Sequence, residues 1–361
     1  MKKQQVLILV LLTMVSIANM KAQTKEKVIL DADMVEAFDD GIAMMMLQRA
    51  ENIELLGVTT VTGNTWSREG AAYAIRQLEA IGATNTIVAE GCRNMLKPHR
   101  KENILREIAF YGHGDGGYIG AMNYDEPESW STFYRQRYGE EPKMTLSKMD
   151  AVDFITAMVK KYPHEVTLLV IGTNTNVALA VRKDPSIIPL IKRIVYMGGA
   201  YFCPGNSTQL AEFNIWADPE AAQIVFTSPF AKQQAVGLDV CRKLILNKEI
   251  WDELKFDCNN KEIVRIMENN FLQKKIFDVN PDSTWLVWDV IAASIVIDPT
   301  LIIEMDTTHY VDVCTDFGSH YGQTVPYTKE LAPQGTQKVD IVLTINKDRF
   351  WAMLRKFFKT F

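Results

Sequence analysis

Val28-Ile29-Leu30-Asp31-Ala32-Asp33-Met34-Val35-Glu36-Ala37-Phe38-Asp39-Asp40-Gly41 is the stretch whose reading decides the fold. A short apolar run ends in four aspartates, Asp31, Asp33, Asp39 and Asp40, and the apolar-periodic Ile42-Ala43-Met44-Met45-Met46-Leu47 follows. This pattern predicts a buried strand, a turn and a helix. It sets carboxylates at the strand's C-terminal end and the helix's N-terminal end, the edge where open α/β sheets bind ligands. Crowded carboxylates repel one another and are best accommodated around a cation. Hard oxygen ligands favour Ca2+ or Mg2+. Asp39 and Asp40 by themselves fit a helix cap equally well. Asp31 and Asp33 beside them turn the reading to a metal site.

Before this stretch, basic Met1-Lys2-Lys3, apolar Val6 to Ala18 and a cleavage point at Ala22-Gln23 have the form of a secretory signal peptide. The expectation is an exported, periplasmic protein. The apolar run is short for a membrane span, so no stable membrane anchor is expected. Cleavage removes Lys2, Lys3 and Lys21, taking the formal net charge from −5 to −8. An acidic chain without a basic run argues against nucleic-acid binding.

Beyond it, residues 23–361 show no linker, repeat or low-complexity tract, and a hydrophobic content of 47% supplies a core for a single domain. Cys92, Cys203, Cys241, Cys258 and Cys314 form no CxxC pair, which leaves zinc and redox motifs without support. Strands are expected at Lys27–Asp31, Ile53–Val61, Thr86–Ala89, Val166–Ile171, Ile191–Met197, Ala231–Leu238 and Val339–Ile345. Helices are expected between them, including one continuous helical pattern over Glu249–Lys274 and an apolar helix over Asp289–Ile297. Their alternation implies an α/β fold, a mostly parallel central sheet with helices on both faces. Residues 92–147 are the least regular and contain the Gly-rich, aromatic run Tyr111 to Tyr118, the expected lid or rim of a site.

Several segments share one design, an apolar strand followed by polar or small residues. They are Asp31–Asp40, Thr59–Asn64, Ile171–Asn176 and Met197–Asn214, with Trp285–Asp289 at a helix start. In a parallel sheet such ends lie on one edge and converge. Asp289 read alone is a helix N-cap. Gly205 to Asn214 carries two amides and a carboxylate suited to sugar hydroxyls, or else is an Asx-rich loop bonding its own backbone.

These motifs together resemble the inosine–uridine-preferring nucleoside hydrolase family over nearly all of the chain after residue 22. The matching stretches are Ile29–Asp33 with Asp39-Asp40, Gly57–Asn64, Gly172–Asn176, Met197–Gly199, Gly205-Asn206, Ala211–Asn214, Asp218–Ala222 and Trp288-Asp289 leading to Asp298-Pro299. The resemblance implies a single-domain nucleoside hydrolase fold and Ca2+-dependent cleavage of nucleosides to base and ribose. Asp33, Asp40 and Asp289 would bind the metal through side chains, and Thr175 through its carbonyl. Asp33 would also be the general base. Asp39, Asn64 and Asn214 would face the ribose 2′- and 3′-hydroxyls, and Asn206 and Glu212 the 5′-hydroxyl, with Met197 lining the pocket. Trp288 stands where pyrimidine-accepting members often carry His, so a purine preference is expected, with His113 the other candidate near the base. Relatives are usually homo-oligomers.

Two departures from the family stand out. The Asp33-to-Asp39 spacing is wider than in the commonest form, with Val35, Glu36 and Ala37 in the turn, and Asn174 replaces the usual Leu. Rival readings are a haloacid-dehalogenase-like phosphatase with Asp31 as nucleophile, and a periplasmic nucleoside-binding protein without turnover.

Overall fold

The computed structural model describes residues 25–361, so the expected signal peptide lies outside the described residues. The main sheet draws on β1 (Glu26–Ala32), β2 (Ile53–Thr60), β3 (Val88–Ala89), β4 (Val166–Val170), β5 (Arg193–Met197) and β6 (Gln233–Val236). After β7 (Ile245–Asn247) and β8 (Thr284–Leu286), which pair as a two-stranded ribbon, come β9 (Ile302–Asp306), β10 (Tyr310–Val313), β11 (Thr324–Tyr327), β12 (Gln337–Lys338) and β13 (Asp340–Ile345). The order in the eight-stranded sheet is β3-β2-β1-β4-β5-β6-β13-β9, parallel throughout except for β9. β10, β11 and β12 form a separate antiparallel sheet.

This topology places the site. β1 pairs with β2 on one side and β4 on the other, so the winding direction reverses at β1. Such a switch point opens a crevice beyond the strands' C-terminal ends. Asp31 lies opposite Thr59 and Val170, which aligns the ends of β1, β2 and β4. β4 and β6 are buried along their whole length; β4 reads as a mostly apolar run, whereas β6 begins with the buried Gln233 and Gln234.

Helices cover both faces. One core joins the helices Asp40–Arg49, Ser67–Ala80, Lys248–Asp257, Asp289–Ile297 and Lys347–Phe358 to one side of the sheet, and a second joins Ala151–Lys161, Thr175–Lys183 and Pro219–Phe226 to the other. The helix Asp289–Ile297 is buried from Asp289 through Val296, so its apolar residues run all round it.

Two expectations need correction. Residues 92–147 hold two helices, Arg100–Tyr111 and Trp130–Tyr138, besides short 3-10 turns. The first was masked because it buries charge. Arg100 and Glu107 pair at 2.6 Å and both are buried, with Glu107 also accepting from the Trp216 indole at 2.8 Å. The expected helix over Glu249–Lys274 is broken. Helices Lys248–Asp257 and Lys261–Asn269 are separated where Asn260 caps the second, and Leu272–Phe277 is one π-helical turn. Asn260 also donates to the Ala80 carbonyl, which pins the break to the helix Ser67–Ala80.

Candidate active site

The carboxylates meet where two helix N-termini converge. Ligand atoms of Asp39, Asp40 and Asp289, all buried, lie within 4.8 Å of one another. Asp40 opens the helix Asp40–Arg49 and Asp289 opens the helix Asp289–Ile297, so both macrodipoles favour negative charge at this point. Neither aspartate pair is a simple cap. Asp39 stands at the N-cap position of its own helix without a side-chain cap bond, and instead accepts from Trp288 N (3.0 Å) and Asp289 N (2.8 Å). It therefore caps a helix 250 positions away. Asp33 accepts from Asn64 N at 2.6 Å through Oδ2. A Cβ on Gly63 would collide with this carboxylate, so only glycine lets the two strand ends close.

Electrostatics decide what this cluster can hold. Burial, with Glu212 and Asp39 adding repulsion, pushes Asp33 up to about 7 against its two backbone hydrogen bonds. Burial and the neighbouring charges of Asp33 and Asp39 raise Asp40 well above the carboxylate range, and burial with Asp39, Asp40 and Asp33 does the same to Asp289. Asp33, Asp40 and Asp289 each keep one buried oxygen, Oδ1, without a hydrogen-bond partner. An unsatisfied buried carboxylate oxygen is costly. Asp40 and Asp289 belong with Asp39 to the close carboxylate group, and the structure leaves the expected ligand Asp33 outside that group; all are hard oxygen donors that fit a divalent cation, whose charge inverts the local preference for protonation.

The remaining candidates fall as follows. Thr175 begins its helix, and its hydroxyl donates to Asp218 at 2.7 Å. Asn214 donates through Nδ2 to the Ile171 carbonyl (2.9 Å) and the Met197 carbonyl (3.1 Å), while its buried Oδ1 has no partner. Met197 is buried beside it. Glu212 caps the short helix Phe213–Ala217 and accepts from Gly199 N at 2.9 Å. Asn206 accepts from Phe213 N at 3.0 Å, so the loop does bond its own backbone in part. Trp288 is half-buried, edge-on to Trp285 at 5.5 Å, and its Nε1 is buried without a partner. His113 is held through Nδ1 by the Gly114 carbonyl at 2.6 Å and sits edge-on to Trp216 at 4.9 Å. Asp31, the nucleophile of the phosphatase reading, is buried and bonded by Thr59 (2.5 Å) and Asn176 (2.7 Å); it braces β1 against β2.

The turn between Asp33 and Asp39 is braced by residues that sequence reasoning missed. Gln77, fully buried, accepts from Ala37 N (2.7 Å) and donates to the Val35 carbonyl (3.2 Å). Asn270 donates to the Glu36 carbonyl at 2.7 Å, and the Glu36 carboxylate takes Arg137 and Tyr138 at 2.5 and 2.6 Å. Ala37 sits at φ 53°, a left-handed conformation these bonds hold in place. Gln77→Leu is expected to cost about 1–3 kcal/mol in denaturant unfolding, because it strands a buried N–H and a carbonyl. The same variant should weaken cation binding; unchanged stability and affinity would remove the turn from the account.

Fold and site together define an α/β protein with an acidic ligand crevice at its switch point. The profile of the inosine-uridine preferring nucleoside hydrolase family matches residues 28–352, and the chain belongs to that family. It is 30% identical over 337 residues to an inosine-uridine preferring nucleoside hydrolase of Crithidia fasciculata, covering 91% of this chain and 96% of that protein. It is 29% identical over 333 residues to a pyrimidine-specific ribonucleoside hydrolase of Escherichia coli O157:H7, covering 92% and 96%. Uridine nucleosidase 1 of Arabidopsis thaliana is 35% identical over 236 residues, and the match spans 65% of this chain but only 63% of that protein's length. Among solved structures, a plant nucleoside hydrolase superposes with a TM-score of 0.74 at 22% identity, covering 92% of this chain and 99% of that one. A purine-preferring ribonucleoside hydrolase from Gardnerella vaginalis superposes with a TM-score of 0.70 at the same identity and coverage. These two likenesses establish the fold. Family membership sets the phosphatase reading aside.

Proposed function

We propose that this protein hydrolyses the N-glycosidic bond of ribonucleosides with the help of a bound Ca2+, releasing free base and ribose. The observation that carries the reading is the set of unpartnered buried oxygens on Asp33, Asp40 and Asp289 beside the amides at the strand ends. Those three side chains and the Thr175 carbonyl would hold the cation. When bound, it lowers the pKa of water and orients it.

The protein's own groups supply the rest. Asp33 takes the proton of the water that attacks C1′ as the C1′–N bond breaks. The transition state is oxocarbenium-like, and the surrounding carboxylates favour its positive charge. Asp39, Asn64 and Asn214 hold the ribose 2′- and 3′-hydroxyls, and Asn206 and Glu212 the 5′-hydroxyl, with Met197 beneath the sugar. Trp288 presents an indole face to the base, where cation–π attraction favours a purine that has taken a proton from solvent water before it leaves; His113 is the alternative group near the base.

A purine preference follows from Trp288. Named relatives act on uridine, on pyrimidines and on inosine, so the preference rests on this residue alone. Trp288→Ala is expected to lower kcat/KM for inosine about tenfold more than for uridine, as loss of about 1–2 kcal/mol of stacking predicts. Equal turnover of the two nucleosides by the wild type contradicts the preference. We also propose that residues 1–22 direct export to the periplasm, as their basic start and apolar run support. The exported protein should then begin at Gln23 on N-terminal sequencing; retention of Met1 in the cytoplasm overturns it.

A further inference from the structure

The loop after the helix Arg100–Tyr111 joins two walls of the crevice. Gly114 N donates to the Ser207 carbonyl at 2.8 Å, next to Asn206. Ala121 N donates to the Gly63 carbonyl at 2.9 Å, next to Asn64. Between these anchors stands Tyr118. Its ring packs on Phe213 at 5.4 Å, one residue before Asn214, and its hydroxyl donates to Asn64 Oδ1 at 2.9 Å. Asn64 in turn holds Asp33 through its backbone N–H. One half-exposed side chain thus touches both sides of the sugar site.

An Asn amide can be turned to present either its oxygen or its nitrogen. The Tyr118 hydroxyl, which can donate or accept, meets the amide at Oδ1 and so holds the Asn64 side chain in place. With Oδ1 engaged in this way, Nδ2 is the group left over. That Nδ2 donates to no protein group among the described residues, and a sugar hydroxyl can accept from it while donating to a nearby carboxylate.

Resting on the proposed nucleoside chemistry, we propose that Tyr118 is a positioning residue for ribose recognition: its hydroxyl holds the Asn64 side chain where the amide reads a ribose hydroxyl. Specificity for the ribo sugar therefore depends on the lid loop as well as on the strand ends. The fixed amide discriminates against analogues lacking that hydroxyl, because the oriented donor is then left unpaired.

Tyr118→Phe keeps the ring on Phe213 and removes only the hydroxyl, so thermal stability serves as the check on folding. Steady-state kinetics on inosine and on its 2′- and 3′-deoxy analogues are compared for wild type, Tyr118→Phe, Asn64→Ala and the double variant. The expected result is a roughly tenfold fall in kcat/KM for inosine, carried by KM, the size of one lost hydrogen bond. The analogue that lacks the hydroxyl facing Asn64 changes less than about twofold, and Tyr118→Phe adds little on top of Asn64→Ala. Equal losses on all three substrates, or full additivity with Asn64→Ala, overturn the proposal. If the wild type releases no base from any nucleoside, the proposed function falls. Calorimetric binding of ribose against 2-deoxyribose to wild type and Tyr118→Phe then decides the Tyr118 role: selective loss of ribose affinity supports it, and unchanged affinity refutes it.

Discussion

Asp33→Ala is expected to slow base release from inosine by about 10²- to 10⁴-fold, the range a positioned general base supplies. Its Oδ2 is held by the Asn64 backbone and its Oδ1 is buried without a partner among the described residues, so the carboxylate is fixed in place and open to the site. Asp33→Asn is the sharper variant. It keeps the shape of the side chain but cannot accept a proton at neutral pH, and the same loss is expected. Neither change should unfold the protein, since burial already makes the ionised Asp33 unfavourable in the fold. A loss smaller than tenfold in both variants, with circular dichroism unchanged, would move the general base to another group.

The second large effect is on stability. Chelated protein is expected to lose stability as pH rises from about 4 to about 7. Asp33 is raised from 3.8 to about 7, and burial raises Asp31 and Asp218 to about 6. A group with a raised folded pKa favours the fold fully below its unfolded pKa, and that contribution is lost as pH climbs through the folded value. Ca2+ works in the opposite sense. It binds the ionised carboxylates and displaces their protons, so its stabilisation grows across the same window. At a thousandfold excess over its Kd the gain is about 4 kcal/mol. Melting temperatures with Ca2+ and with chelator should therefore diverge from pH 5 to pH 7.5. Coincident melting curves at pH 7.5 would contradict a cation among Asp33, Asp40 and Asp289.

β1 to β6 and β13 were legible from apolar stretches such as Val166 to Val170, a mostly apolar strand buried along its length, whereas β7 to β12, short and largely at the surface, were not expected. The convergence of Asp33, Asn64, Thr175 and Asn214 was legible for the same reason, since parallel strand ends share an edge. The helix Arg100–Tyr111 was not recognised, because its inward positions include charged Arg100 and Glu107. The spacing Arg100, Ile104, Glu107 marks one helical face and was the available signal. Asn260 followed by Glu262 was a capping signal within the stretch read as continuous.

Other features left no local trace. Asp39 capping the helix at Asp289 joins residues 250 positions apart, and Gln77 bonds a turn 40 residues upstream. The wide turn at Val35, Glu36 and Ala37 carried no sign that Gln77, Arg137, Tyr138 and Asn270 would fasten it. Tyr118 was visible only as an aromatic in a Gly-rich run. Its bond to Asn64 exists because the loop crosses from one wall of the crevice to the other.

The most direct test is free ribose released from inosine by the purified protein, first stripped with chelator and then titrated with Ca2+. Little or no ribose before addition and saturable release after it is the predicted result. Absence of base release from inosine, guanosine, adenosine, uridine, cytidine and nicotinamide riboside at saturating Ca2+ would contradict it.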